Sequence, residues 1–311
     1  MNMYQSKIFW SRPTLKGFKI WIIISICCVL LIAGTFLTSE SGTKVFDWQS
    51  RLPPTPNVDK WYNYSAGDSF DGEQIAMDNP KVIKKLLTHF LLPPPKSGPK
   101  HVYYLTSPET QDTSMGQSEK IRNILHDRKD GFFIECGALD GETRSNTLYM
   151  ERFLNWSGLL IEADPLNFGQ MLRKNRRTWL SPTCLSKTPY PQIVSFKQDF
   201  NIGRISDSEV GQQRDGFVDV QCFPIYSYLL ALNVTHVDYF SLDVEGDELE
   251  VLKTIPFDKV DIETLSVEFA HVPDGKEALQ EFMITKGYSV VAEVTHPQWL
   301  ANDFIFVKNK I

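Results

Sequence analysis

Six residues in three short stretches have the types and spacing for chemistry on a small, positively charged ligand. The first stretch, Glu135-Cys-Gly137-Ala-Leu-Asp140-Gly141-Glu, closes an apolar run and precedes a helical pattern. Its two glycines allow a tight turn and a close backbone approach to a ligand, and Glu135 at the mouth of the run suits a cationic group. The second, Leu159-Leu-Ile161-Glu162-Ala-Asp164-Pro165, ends an apolar run in an acid 25 positions after Gly137. An acid at the tip of a second strand is placed to hold a ribose by accepting from its two hydroxyls. The third, Val237-Asp-Tyr-Phe-Ser-Leu242-Asp243-Val-Glu245-Gly246-Asp-Glu248, carries Asp243 and Glu245 off the end of a buried run to a helix start. Glu248 and Glu250 there suit the positive end of that helix. A dinucleotide site would need Gly-x-Gly-x-x-Gly, which is absent, so an adenosine without phosphates is expected. S-adenosylmethionine, whose ammonium and sulfonium charges match the acidic turn, is the cofactor these residues predict.

Other chemistries fit less well. Asp243-Val-Glu245 has the form of the carboxylate pair that binds Mn²⁺ or Mg²⁺ in glycosyltransferases, and Glu268 and His271 could add ligands. That reading leaves the glycine turn and Glu162 unexplained, so no metal is expected. The six histidines show no zinc spacing, and no Gly-x-Ser-x-Gly elbow or Cys–His signature stands out.

The elements that must position these residues alternate. After Gly131, short apolar runs at 132–136, 159–161, 194–196, 237–242, 265–269, 288–292 and 304–307 predict strands. Helical patterns at 145–154, 166–174, 224–232, 247–254 and 276–285 lie between several of them. Strands spaced by helices imply crossover units and a mainly parallel α/β sheet, whose ligand crevice opens at the carboxyl ends of the strands. Upstream, Asn79 as N-cap and Pro80 at the first position open a helix whose apolar residues run to Leu91, stopped by Pro93, Pro94 and Pro95. A further helix is expected over 117–127.

Thirty-two basic against 38 acidic residues give a net charge of −6, which excludes a broad nucleic-acid face. Residues 1–19 carry Lys7, Arg12, Lys16 and Lys19 and no acid, leaving −10 on the remainder. Ile20 to Ser39 contains no charged residue. As a helix it would span about 30 Å, the thickness of a bilayer core. A single retained signal-anchor follows, with 1–19 cytoplasmic, 20–39 transmembrane, 40–78 a stem, 79–129 a helical extension and 130–311 the α/β domain. The basic flank puts the C-terminal domain on the lumenal side, as in a type II membrane protein. Sequons at Asn63, Asn155 and Asn233 fit that side. Five cysteines are too few for a disulfide scaffold; outside the span, Cys136, Cys184 and Cys222 leave the pairing open.

The segments ECGALDGE, LLIEADP and SLDVEGDELEVL resemble the FkbM-type family of S-adenosylmethionine-dependent methyltransferases over roughly residues 130–308. The resemblance implies the class I methyltransferase (Rossmann-like) sheet of seven mostly parallel strands. It implies that Glu135, Gly137 and Gly141 line the methionine side of the cofactor and that Glu162 holds the ribose. Asp243 and Glu245 would face the transferring methyl and an oxygen acceptor, with Asp243 managing the acceptor's proton. The chain departs from the family's commoner pattern at Glu135, usually Asp, and at Leu139, often Asn. The N-terminal anchor, Gly116-Gln117-Ser118, Gly-Glu-x-x-Ser-Asn-Thr at 141–147 and Cys184-Leu185-Ser186 resemble the membrane-anchored, Star-like branch more closely. That branch implies a protein of the secretory pathway (endoplasmic reticulum and Golgi) assisting vesicle-mediated transport of secreted or membrane cargo. A methyltransferase in that place would act on a glycan or protein acceptor.

Overall fold

The computed structural model describes residues 53–62, 70, 74–96 and 101–310, all within one compact unit. The expected membrane segment at 20–39, the tail before it and much of the stem lie outside the described residues. Among the described residues no helix is long and apolar enough to cross a membrane.

The described residues form eleven strands: β1 Phe132–Cys136, β2 Ser157–Ile161, β3 Trp179–Ser181, β4 Cys184–Leu185, β5 Gln192–Lys197, β6 Arg204–Ser206, β7 Phe217–Phe223, β8 His236–Leu242, β9 Asp261–Glu268, β10 Tyr288–Thr295 and β11 Asn302–Lys308. Seven of them build one sheet in the order β10-β11-β9-β8-β1-β2-β3. Neighbours from β9 through β3 run parallel, and β11 inserts antiparallel between β9 and β10. The expected sheet of seven mostly parallel strands is therefore present, with one exchange of membership. The run at 194–196 belongs instead to a second sheet, ordered β4-β7-β5-β6. Its expected place is taken by β3, three residues behind the polar stretch Lys174-Asn-Arg-Arg-Thr178, too short to leave a periodic signal.

Burial explains which runs become central strands. Four of the five residues of both β1 and β2, and six of seven in β8, are buried, the continuous pattern of strands covered on both faces. The covering helices begin where capping chemistry permits. Asn79 accepts from the Lys81 N–H at 2.9 Å, with Pro80 opening the helix Pro80–Lys85. Asp164 accepts from the Leu166 N–H at 2.8 Å, with Pro165 opening the helix Pro165–Arg173. The first of these continues as a wider π-type turn, Leu86–Phe90. The helix Gln117–Ile124 is shorter than expected and ends where His126 and Asp127 take left-handed backbone angles.

The connection from β1 to the helix Leu148–Phe153 is clamped by a buried ion pair. Arg176 and Glu151 are fully enclosed, Nε to Oε2 at 2.7 Å. The same guanidinium donates to the Gly141 carbonyl, to Ser145 Oγ and to Thr147 Oγ1. Removing one partner of a buried pair leaves a charge without compensation and costs about 3–5 kcal/mol. We expect Arg176→Met to destabilise the fold by about that amount in denaturant unfolding, and Arg176→Met with Glu151→Met to recover a large part of it. A single variant within 1 kcal/mol of the parent protein, about the size of an ordinary surface substitution, would show that the clamp is not needed.

Candidate functional site

A cleft opens at the carboxyl ends of β1, β2 and β8, enclosing about 1020 Å³ of empty space including its mouth. Its floor is Cys136, Gly137, Ile161, Glu162, Ser241 and Asp243. Leu185, Phe196 and Ile205 of the second sheet form one wall, and Met115, Gln117 and Leu300 stand at another side.

The β1 and β8 tips meet through backbone. Asp243 N–H donates to the Cys136 carbonyl at 3.2 Å. Gly137 turns away at φ +78°, and a Cβ there would lie 2.0 Å from the Asp243 carbonyl oxygen. Only glycine allows this approach. Glu162, buried at the tip of β2, accepts from the Leu139 N–H at 2.7 Å and from the Asp164 N–H at 2.8 Å. The Leu139 contribution comes from its main chain, at φ +50°, so the departure from Asn at this position leaves the contact intact. Burial pushes Glu162 up to about 8 against the pull of these N–H bonds.

Asp243 Oδ1 is enclosed and accepts no hydrogen bond. Burial first, and then the charges of Glu245, Asp303, Glu268 and Glu248, hold its carboxyl well above the ordinary range. Glu245 lines the cleft from a left-handed backbone angle, φ +59°, strain of a kind that gathers at functional sites. Its Oε2 lies 2.9 Å from His271 Nδ1; burial raises this carboxyl and His271 opposes the rise. Glu248 accepts from the Val244 and Gly246 N–H groups and Glu268 from the Ala270 and His271 N–H groups. These two tie the loops after β8 and β9. Glu250 is a half-exposed partner of Lys253.

The structure thus brings Gly137, Glu162, Asp243 and Glu245 to the cleft, and leaves Glu135 and Gly141 out of its lining. Glu135 is buried behind the wall, accepting from Ser145 Oγ at 2.9 Å, from the Asn146 N–H at 2.7 Å and from Thr147 Oγ1. Burial raises its carboxyl and Arg176 opposes the rise. A shorter Asp would not reach this loop as readily, which accounts for Glu here. Gly141, at φ +75°, packs against the helix Pro165–Arg173, where a Cβ would meet Met171 Cγ at 3.0 Å. Glu135 and Gly141, expected to touch the cofactor, thus lie outside the cleft lining and shape the loop beside it.

Sequence reasoning missed Asn146, Ser241, Gln117 and the wall built by the second sheet. The run Ser145-Asn-Thr147 directly after the glycine turn was the available signal for Asn146. The Cys184–Cys222 disulfide, joining β4 to β7 beside the cleft, settles the pairing, and Cys136 is the buried free thiol.

Fold and cleft together define a methyltransferase-like domain, and residues 135–290 match the methyltransferase FkbM domain. That match spans just over half of the 311 residues, and the chain belongs to this family. Among solved structures it is similar to the methyltransferase FkbM of Methylobacillus flagellatus KT, with 14% identity and a TM-score of 0.40 over 58% of this chain and 44% of that one. The chain therefore spans less than half the length of that protein. It is also similar to an O-methyltransferase of Klebsiella pneumoniae (11% identity, TM-score 0.39, 64% of this chain and 82% of that one). A third likeness is the 1,6-didemethyltoxoflavin-N1-methyltransferase of Burkholderia thailandensis, solved with S-adenosylhomocysteine, at 11% identity and TM-score 0.34 over 64% of this chain and 80% of that one. No curated protein matches in sequence.

The raised acids set a pH dependence. Glu162 and Glu268 stand at about 8, Glu248 at about 7 and Asp303 at about 6. In the unfolded chain such groups ionise near 4, so between there and pH 8 the folded state holds protons that the unfolded state has released. Stability then falls as pH rises, by up to about 1.4 kcal/mol per pH unit for each such proton. The thermal midpoint should be higher at pH 5 than at pH 8, and Glu268→Gln should flatten the slope. A midpoint that climbs over this interval would contradict the burial of these charges.

Proposed function

We propose that this domain binds S-adenosylmethionine and transfers its methyl group to an oxygen acceptor. The observation that carries the reading is the pairing of a ribose-type acid, Glu162, with enclosed acceptor oxygens that line the same cleft. Asp243 Oδ1 and Asn146 Oδ1 are buried there without a hydrogen-bond donor, and burial without a partner is costly. A ligand carrying positive charge and N–H donors relieves that cost, which is the fit expected of the cofactor.

The bound cofactor supplies a methyl on a sulfonium, an electrophile ready for displacement. Held over Glu162 and Asp243, it would give that methyl to an acceptor oxygen and would be left as a neutral thioether. The acceptor's proton passes to a carboxylate. Support favours Glu245 over Asp243 for that proton, because His271, half-exposed at 53%, stands 2.9 Å away and offers a route to solvent. Asp243 then balances the cation, and alignment in the enclosed cleft supplies most of the acceleration.

We also propose the type II topology, with residues 20–39 as the anchor and this domain on the lumenal side of the secretory pathway, where a glycan or protein acceptor would be met. Its support is the Cys184–Cys222 bond, since disulfides persist in oxidising compartments, and the exposure of Asn155 and Asn233 at left-handed turns. The Star-like reading, a non-catalytic factor in transport of cargo, shares this topology but requires no ligand in the cleft.

Titration calorimetry of the full chain separates these readings. We expect S-adenosylmethionine to bind, and Glu162→Ala to weaken it by about 1–3 kcal/mol, the cost of an unmade buried hydrogen bond. No heat at millimolar cofactor would remove the enzyme reading and favour the transport one. For topology, the chain made in secretory cells should shift on endoglycosidase digestion, losing one step in Asn233→Gln. An unshifted chain whose Cys184 reacts with maleimide without prior reduction would place the domain in a reducing compartment.

A further inference from the structure

The cleft is acidic, and the two guanidinium groups at it are spent on nothing in the chain. Nine arginines fall among the described residues. Seven of them donate side-chain hydrogen bonds to carboxylates, carbonyls or hydroxyls of the protein. The other two, Arg144 and Arg204, have neither a side-chain hydrogen bond nor an ion pair among the described residues. Arg144 is the one basic residue in the described lining of the cleft, partly buried on the loop after β1 at a left-handed backbone angle, φ +56°. Arg204 opens β6, exposed, between Gly203 and Ile205, which both line the cleft. Both charges bear on Glu245: burial raises that carboxyl, and His271, Arg204 and Arg144 oppose the rise. The acids beside the two arginines along the chain are engaged elsewhere, Asp140 with Lys174 at 3.3 Å and Asp199 with Lys197 at 3.5 Å.

We infer that Arg144 and Arg204 read an anionic group on the acceptor, and that the acceptor is an acidic sugar whose hydroxyl meets Glu245. The inference rests on the methyl-transfer reading and names the class of acceptor for that same site. A guanidinium is a planar fork of N–H donors that matches a carboxylate or a phosphate with two parallel hydrogen bonds. The main chain of Arg144 is held in place by its neighbour Ser145, whose hydroxyl donates to Glu135 and accepts from Arg176. Glu245 does not take the place of such an anion, because its Oε2 is turned to His271 at 2.9 Å. The carboxylate of the cofactor is the competing partner, but it engages one guanidinium and leaves the other unexplained. Phe200, 62% exposed where it lines the cleft, offers a flat apolar face, with the amide of Asn201 beside it. Asn167 fixes that corner by donating to the Phe200 carbonyl at 2.8 Å. A flat face next to polar side chains suits the apolar face and hydroxyl edge of a sugar ring. Anchoring the anion at the arginines then sets the hydroxyl near Glu245, the positioning on which such a transfer depends.

The test uses the full chain loaded with S-adenosylhomocysteine and titrated in a calorimeter with glucuronate, glucose 6-phosphate or glucose. At least one of the two anions should bind at millimolar concentration or below, and glucose about tenfold more weakly or not at all. The tighter of the two tells a carboxylate from a phosphate. Arg144→Gln should weaken the anion by about tenfold, the scale of a hydrogen bond between charged groups. Arg204→Gln, at an exposed position, should weaken it by about threefold. Arg144→Lys, which keeps the charge and loses the fork, should fall between the parent protein and Arg144→Gln. The affinity for S-adenosylhomocysteine should change by less than about twofold in each variant. The inference is overturned if neither anion binds, if glucose binds as well as they do, or if both Gln variants leave the anion's affinity unchanged. An acidic Asp-Ser-Asp peptide that binds where neither sugar does would move the acceptor to protein and overturn it too. So would a loss of S-adenosylhomocysteine affinity in Arg144→Gln as large as the loss for the anion, which would give that guanidinium to the cofactor. Failure of S-adenosylhomocysteine itself to bind the parent protein would overturn the adenosyl reading, and this inference with it, a result distinct from all of these.

Discussion

One enclosed guanidinium organises the cleft. Arg176 reaches the β1-to-helix connection at the Gly141 carbonyl, Ser145 and Thr147 while paired to Glu151. From the other side Glu135 accepts from Ser145, Asn146 and Thr147. Loops ordinarily sit at the surface because their backbone polar groups need water. This one is buried because charged groups replace that water on both of its sides. Asn146 can present a fixed oxygen to the cleft for that reason, since its main chain is held by Glu135 and its amide by Ser241. The desolvation of two acids and one base is costly, and a buried pair of this kind is weak support for stability by itself. What it gives is a single geometry for the loop.

The acids around the cleft divide into those spent on the chain and those left for a ligand. Glu135, Glu248 and Glu268 have their oxygens on backbone N–H or side-chain hydroxyl groups. Asp243 has an oxygen with no donor at all. Glu162 is intermediate: each oxygen accepts one N–H, and a carboxylate oxygen has room for a second donor. Burial first, and the neighbouring carboxylates after it, raise several of these acids above their ordinary range.

The fold was largely legible in the sequence because the central strands are buried on both faces and read as continuous apolar runs, as Phe132–Cys136 and Val237–Leu242 do. The errors have local causes. Trp179–Ser181 is too short for any period and follows two arginines whose burial depends on partners far along the chain, Glu151 among them. Gln192–Lys197 has the apolar pattern of a central strand but pairs with β6 and β7, a choice set by antiparallel register and not by composition. For the cleft, residue type at a strand tip was enough to place Glu162 and Asp243 in its lining. It did not place Glu135, because a carboxylate at a strand end serves a loop as readily as a cleft, and the position of Ser145 to Thr147 puts this one on the loop.

The second sheet gives the cleft an apolar wall. Leu185 and Phe196 stand opposite the acidic floor, and β4 is joined to β7 both by pairing and through Cys184–Cys222. β4 has only two residues, too short to hold its place by ladder hydrogen bonds alone, so the covalent link fixes that part of the apolar wall. Apolar wall and acidic floor thus face one cleft, and the adenosyl ligand proposed above carries both a flat ring system and positive charge. Charge alone would admit any small cation, and the wall alone any aromatic. The two surfaces together favour a molecule that joins both properties, as that proposed ligand does.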